Sequence, residues 1–138
     1  MRVALVDTGP LVSLLDSRDK HHRWAIEAMG ALPGPLTTCE AVLTEACYLL
    51  ARWPAAVDAL LDRAEKGVLK VVSLSSELGV IRRLMRKYSN VPMSFADASL
   101  VRLAELHDDA VVVTLDSDFR VYRRNGRRTV PVIAPQGR

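Results

Sequence analysis

Val3-Ala4-Leu5-Val6-Asp7 is an unbroken apolar run that ends on a carboxylate, and Val111-Val112-Val113-Thr114-Leu115-Asp116 repeats the pattern near the other end of the chain. Apolar runs without polar alternation are what strands covered on both faces of a parallel sheet require. The segments between them carry helical periodicity, so an α/β sandwich of helix, sheet and helix follows. In open parallel sheets the ligand crevice lies beyond the carboxyl ends of the strands, where the strand order reverses. Asp7 and Asp116 both stand at such ends; if their strands are neighbours, they face one crevice.

Working outward, strand one covers Val3 to Val6, a short helix runs from Gly9 to Asp16 with Pro10 in its first turn, and a second from Lys20 to Ala31. Pro33-Gly34-Pro35 reads as a loop into a short strand, Leu36 to Thr38. Helices are predicted from Cys39 to Arg52 and from Pro54 to Lys66, the latter stopped by Gly67. Val68 to Leu74 reads as strand three, and a helix capped by Ser75 or Ser76 extends to about Tyr88. Asn90-Val91-Pro92 breaks it before the last long helix, Ser94 to His107. Ala110 to Leu115 is strand four and Thr129 to Ile133 an edge strand containing Pro131. No repeat or linker interrupts the chain, so residues 1–134 form one domain and 135–138 a short tail.

At 138 residues the domain buries enough surface to fold without staples. Cys39 and Cys47 lie eight residues apart in one predicted helix, a rise of about 12 Å that no disulfide bridges. They read as free thiols, and His21, His22 and His107 have no zinc-type spacing. The hydrophobic fraction of 49% is ordinary, and no apolar stretch approaches the length of a membrane span. No secretory signal is visible, and a cytoplasmic location is expected.

The net charge of +3 hides an asymmetry: residues 1–117 carry net −2, and residues 118–138 net +5. Arg120, Arg123, Arg124, Arg127 and Arg128 crowd a stretch beside the last acidic motif. Guanidinium groups suit phosphate oxygens, so this row is a candidate polyanion contact, although a solvated basic loop is as plain a reading. Arg82, Arg83, Arg86 and Lys87, on the preceding helix, read as a solvated face.

The acidic residues carry the sharper signal. Asp7, followed by Thr8-Gly9-Pro10, is equally an N-cap and a ligand. Glu45 shares a helical stripe with Val42, Ala46 and Leu49, and burying a carboxylate without a partner is costly, which points to function. Asp97 closes the capping box Ser94-Phe-Ala-Asp97 and also heads the stripe Asp97, Leu100, Val101 and Ala104. Asp116 and Asp118 follow strand four; Asp116 is the preferred ligand and Asp118 supports it. Gathered carboxylates resist ionisation unless a cation offsets their repulsion, and an oxygen-only set matches magnesium or manganese.

At these residues the chain resembles the PIN-domain ribonucleases, and in particular the VapC-type toxins of toxin-antitoxin pairs. The resemblance rests on Leu-Val-Asp7-Thr-Gly-Pro-Leu, on Thr37-Thr38 with Glu45, on Ser94-Phe-Ala-Asp97-Ala, and on Thr114-Leu-Asp116-Ser-Asp118-Phe119. It implies a five-stranded parallel sheet in the order 3-2-1-4-5. By position it implies that Asp7, Glu45, Asp97 and Asp116 hold one or two Mg2+ or Mn2+ ions, assisted by Asp118 and the hydroxyls of Thr8 and Thr114. The implied activity is endoribonuclease cleavage of RNA by water; the implied partners are a small antitoxin and a second copy of the chain. Two rivals weaken: a receiver domain needs an acidic pair after strand one, and a haloacid dehalogenase-type phosphatase needs an aspartate where Gly9 stands. The serious rival is a catalytically silent PIN-like module that binds RNA or a partner.

Overall fold

The computed structural model describes residues 2–136. Its elements alternate as the apolar pattern requires: β1 (Val3–Val6), α1 (Thr8–Leu15), α2 (His22–Gly30), β2 (Leu36–Cys39), α3 (Glu40–Leu49), α4 (Pro54–Glu65), β3 (Leu69–Val72), α5 (Leu78–Lys87), α6 (Phe95–Glu105), β4 (Ala110–Val113), β5 (Arg123–Arg124), β6 (Arg128–Thr129) and β7 (Val132–Ile133). Short 3-10 turns precede α5, at Ser75–Glu77, and follow β4, at Ser117–Arg120.

The main sheet has the order β3-β2-β1-β4-β7, every pair parallel, with helices on both faces. This is the expected three-layer sandwich and strand order, with β7 as the fifth strand. Val6 is in register with Val113, so the next residues, Asp7 and Thr114, emerge side by side at the carboxyl edge. β1 and β4 are buried almost throughout, with Leu5, Val6, Val112 and Val113 fully enclosed. Thr38 extends the lock between strands, its hydroxyl donating to the carbonyl of Val6 at 2.8 Å.

The predicted edge strand Thr129 to Ile133 is split. Asn125 and Gly126 both adopt positive φ, 53° and 84°, and turn the chain into an antiparallel hairpin of β5 with β6. An Asn-Gly pair is a strong hairpin signal, and here it outcompetes a continuous strand. Pro131 then separates β6 from β7; lacking an N–H, it serves only as acceptor, its carbonyl taking the N–H of Val112. Cys39 ends β2 instead of starting α3. Both cysteines are free thiols.

Candidate metal centre

Asp7, Asp97 and Asp116 lie near one another at the switch point between β1 and β4, close enough for their charges to act on one another. Asp7 is 6% exposed. Its Oδ1 accepts the N–H of Thr8 at 2.8 Å, and its Oδ2 accepts the hydroxyl of Thr114 at 2.8 Å. Burial pushes its carboxyl up to about 7, against the two hydrogen bonds, and the neighbouring Asp97 and Asp116 push the same way. Asp7 is the N-cap of α1, and the same carboxylate is buried beside like charges.

Asp97 is half-buried in the first turn of α6 and completes the expected capping box. Ser94 Oγ accepts its N–H at 3.0 Å, while its Oδ2 accepts the N–H of Ser94 at 3.1 Å and the phenolic O–H of Tyr122 at 3.2 Å. Burial raises this carboxyl too, and Asp116 adds to the effect. Asp116 is held by the turn after β4: its N–H donates to Thr114 Oγ1 at 2.9 Å and its Oδ1 accepts the N–H of Asp118 at 2.9 Å. Thr114 therefore ties Asp7 to Asp116 through one hydroxyl. Asp118 is half-buried in the same turn.

Glu45 departs from expectation, for it is exposed. The buried stripe of α3 runs through Val42, Ala46 and Leu50, four residues apart, and Leu49 is half-exposed, so Glu45 sits off the stripe it was assigned to. It lines an open groove with Glu40, Tyr48, Ser94 and Phe95, beside the capping box of Asp97. The arginine row also needs correction. Arg124 is buried, its guanidinium donating to the carbonyls of Ala104, His107 and Asp108 at 3.2, 3.2 and 2.8 Å, so it caps the end of α6 and is withdrawn from any ligand. Arg123 Nη1 donates to the carbonyls of Arg120, Val121 and Tyr122. Arg120, Arg127 and Arg128 are exposed. His22 Nδ1 lies 2.8 Å from the Ser13 carbonyl oxygen.

Tyr122 escaped the sequence reading. It is fully buried, edge-on to Tyr88 and Phe119 at 5.2 Å from each, and its one polar atom is spent on Asp97. The signal for it was faint: an aromatic three residues after Phe119 in a polar stretch.

Whether the site suits a cation turns on its donor chemistry. Among the described residues no three acidic, histidine or cysteine side chains stand as a ready cage, so the four-carboxylate cluster expected from sequence is not drawn together. Yet none of the ion pairs among the described residues involves Asp7, Asp97 or Asp116, leaving their mutual repulsion without a cationic offset. The buried Thr8 Oγ1 also has no hydrogen-bond partner, an oxygen left over beside Asp7. Mg2+ keeps several waters and takes only one or two carboxylates directly, so this set fits it without a closed cage.

Three solved structures share the architecture. The sarcin-ricin loop cleaving toxin VapC20 of Mycobacterium tuberculosis is 21% identical, with a TM-score of 0.78 over 86% of this chain and 93% of that one. VapBC2 from Rickettsia felis, bound to a DNA fragment from its promoter, is 13% identical, with a TM-score of 0.67 over 97% and 99%. DNA-bound VapBC from Salmonella typhimurium is 18% identical, with a TM-score of 0.58 over 97% and 98%. At such identities the likeness is one of fold. No curated protein matches the sequence. The PIN domain model matches residues 4–125, which takes in β1 from Ala4 onward, β4 and all three aspartates, and the chain belongs to the PIN-domain family.

Proposed function

We propose that the protein is a Mg2+- or Mn2+-dependent endoribonuclease, the toxin of a type II toxin-antitoxin module, that hydrolyses phosphodiester bonds of single-stranded or structured RNA. The observation that supports this most is Asp7: a buried carboxylate at the family's switch point, raised to about 7, pressed by Asp97 and Asp116, and without a cation to offset them. Asp7, Asp97 and Asp116 are the principal ligands in this reading; Glu45 and Asp118 flank them, and the hydroxyls of Thr8 and Thr114 assist. A bound ion supplies an acidified water at neutral pH and neutralises charge on the scissile phosphate.

The chain's own contribution is preorganisation. Thr8 and Thr114 fix both oxygens of Asp7, and Ser94 with Tyr122 fixes one oxygen of Asp97, so the donors need little rearrangement when a substrate arrives. No histidine is required. With water as nucleophile, the products carry 5′-phosphate and 3′-hydroxyl ends.

Two protein partners complete the proposal. Tyr48, Leu78 and Phe95 expose apolar surface around adjoining grooves on α3, α5 and α6, a face suited to a second copy of the chain. The VapBC complexes with which the fold is shared support a small antitoxin partner, and in this reading it inserts a segment near the acidic crevice. The lack of a ready three-acid cage favours one alternative, a silent PIN-like binding module. Purified protein incubated with RNA, with Mn2+ and with a chelator, separates the two. Cleavage that needs the ion and is lost in both Asp7→Asn and Asp97→Asn supports the nuclease; retention of RNA without cleavage under every metal condition supports the module.

A further inference from the structure

We propose that the flank built from the end of α5 and the β5-β6 hairpin is a second RNA-contact surface, set about 12 Å along α6 from the carboxylate crevice, that grips substrate phosphates away from the scissile bond. This rests on the ribonuclease reading above and specifies where the rest of the substrate lies.

The placement follows from three contacts. Arg124 is bonded to the carbonyls that close α6, and the N–H of Asn125 donates to Glu105 Oε2 at 2.7 Å. The hairpin is therefore rooted at the far end of α6, whereas Asp97 stands in its first turn. The eight residues from Asp97 to Glu105 span about 12 Å of helix. The hairpin is also fastened sideways to α5: Lys87 Nζ donates to the Gly126 carbonyl at 3.1 Å, and the N–H of Arg123 donates to Tyr88 Oη at 2.8 Å. Two basic segments far apart in sequence thus become one surface.

That surface is cationic and uncompensated. Arg83 and Lys87, four residues apart, share a face of α5, and Arg127 and Arg128 extend it across the hairpin; all four are exposed. None takes part in an ion pair among the described residues. The acids nearby are spent elsewhere, Glu77 on Arg102, and Glu105 on Arg102 and the Asn125 N–H. A cation in the last turn of a helix offsets its dipole, which accounts for Lys87 alone. It explains neither Arg83, a turn earlier, nor Arg127 and Arg128, which lie on no helix. Exposed guanidinium groups without partners, repelling one another in a chain whose first 117 residues are net acidic, match a phosphate backbone.

The test uses the full chain carrying Arg83→Glu, Arg127→Glu and Arg128→Glu, with a lysine version of all three as the charge-conserving control. Two substrates are compared, an RNA stem-loop of about 30 nucleotides and an RNA dinucleotide confined to the crevice, the salt dependence following from phosphate contacts. For the long RNA, KM rises about tenfold or more in the glutamate variant with kcat unchanged, and the lysine version restores most of it; the short RNA is cleaved alike by all. In an Asp7→Asn background, fluorescence anisotropy with the long RNA reads a slope of log affinity against log salt reduced by about 2. Equal KM and equal salt slope in wild type and glutamate variant overturn the proposal, as does tighter binding of duplex DNA than of RNA. Should the wild type cleave nothing, the nuclease reading fails while the anisotropy still decides this surface: unchanged affinity refutes it and a reduced slope supports it.

Discussion

Replacing Asp7 by asparagine should make the metal-free protein more stable, and increasingly so as the pH rises to about 7. The carboxyl is raised from 3.8 to about 7, chiefly by burial. Below 3.8 the folded and unfolded chains both hold the proton and Asp7 costs nothing. Between the two values the unfolded chain releases it while the folded chain keeps it, so stability falls as pH rises, and above about 7 the deficit is constant. Each tenfold change in proton affinity is about 1.4 kcal/mol, so the deficit is about 2 kcal/mol near about pH 5 and about 4 kcal/mol near about pH 8. Asparagine is never charged and keeps an oxygen for the Thr8 N–H, but its amide forces the Thr114 hydroxyl to turn round, which returns about 1 kcal/mol. The net gain is about 3 kcal/mol under alkaline conditions. Urea unfolding followed by circular dichroism, with a chelator present, measures it at both pH values. Added Mn2+ should then raise the melting temperature of the wild type and leave the variant unmoved. Equal urea midpoints near about pH 8, or a gap that does not widen from about pH 5, would refute the view of Asp7 as a desolvated charge held for a cation.

Three further outcomes follow from the same geometry. Tyr122→Phe keeps the ring against Tyr88 and Phe119 but frees Asp97 Oδ2 of one donor; stability drops by about 1 kcal/mol, and Mn2+ affinity measured by calorimetry falls. Unchanged affinity would mean that the capping box alone orients Asp97. Arg124→Met removes three guanidinium hydrogen bonds to carbonyls at and just beyond the end of α6 and costs about 3 kcal/mol in chemical denaturation, whereas RNA affinity of the folded variant stays at the wild-type level. Glu45→Gln, at an exposed position, reduces cleavage far less than Asp97→Asn; equal losses in single-turnover kinetics would place Glu45 among the principal ligands.

Much of this molecule was legible before any coordinates. The two unalternating apolar runs force their strands to be buried on both faces, and a carboxylate just beyond each lands at the same edge because parallel neighbours share a direction. The capping box of Asp97 was legible because it is a contact between residues three apart. What the sequence could not decide were contacts between distant residues and small rotations about a helix axis. Glu45 and Ala46 differ by about 100° around α3, so a stripe read one residue off exchanges a buried position for an exposed one. Arg124 and Arg127 read alike in a basic run, yet the Asn125-Gly126 turn sends one beneath the closing carbonyls of α6 and the other into solvent. Tyr122 meets Asp97, and Lys87 meets Gly126, only after the chain has folded back on itself. Local pattern specifies which surfaces leave water; the packing of separate elements specifies which polar groups find one another, because hydrogen bonds between them depend on three-dimensional distances that no periodicity records.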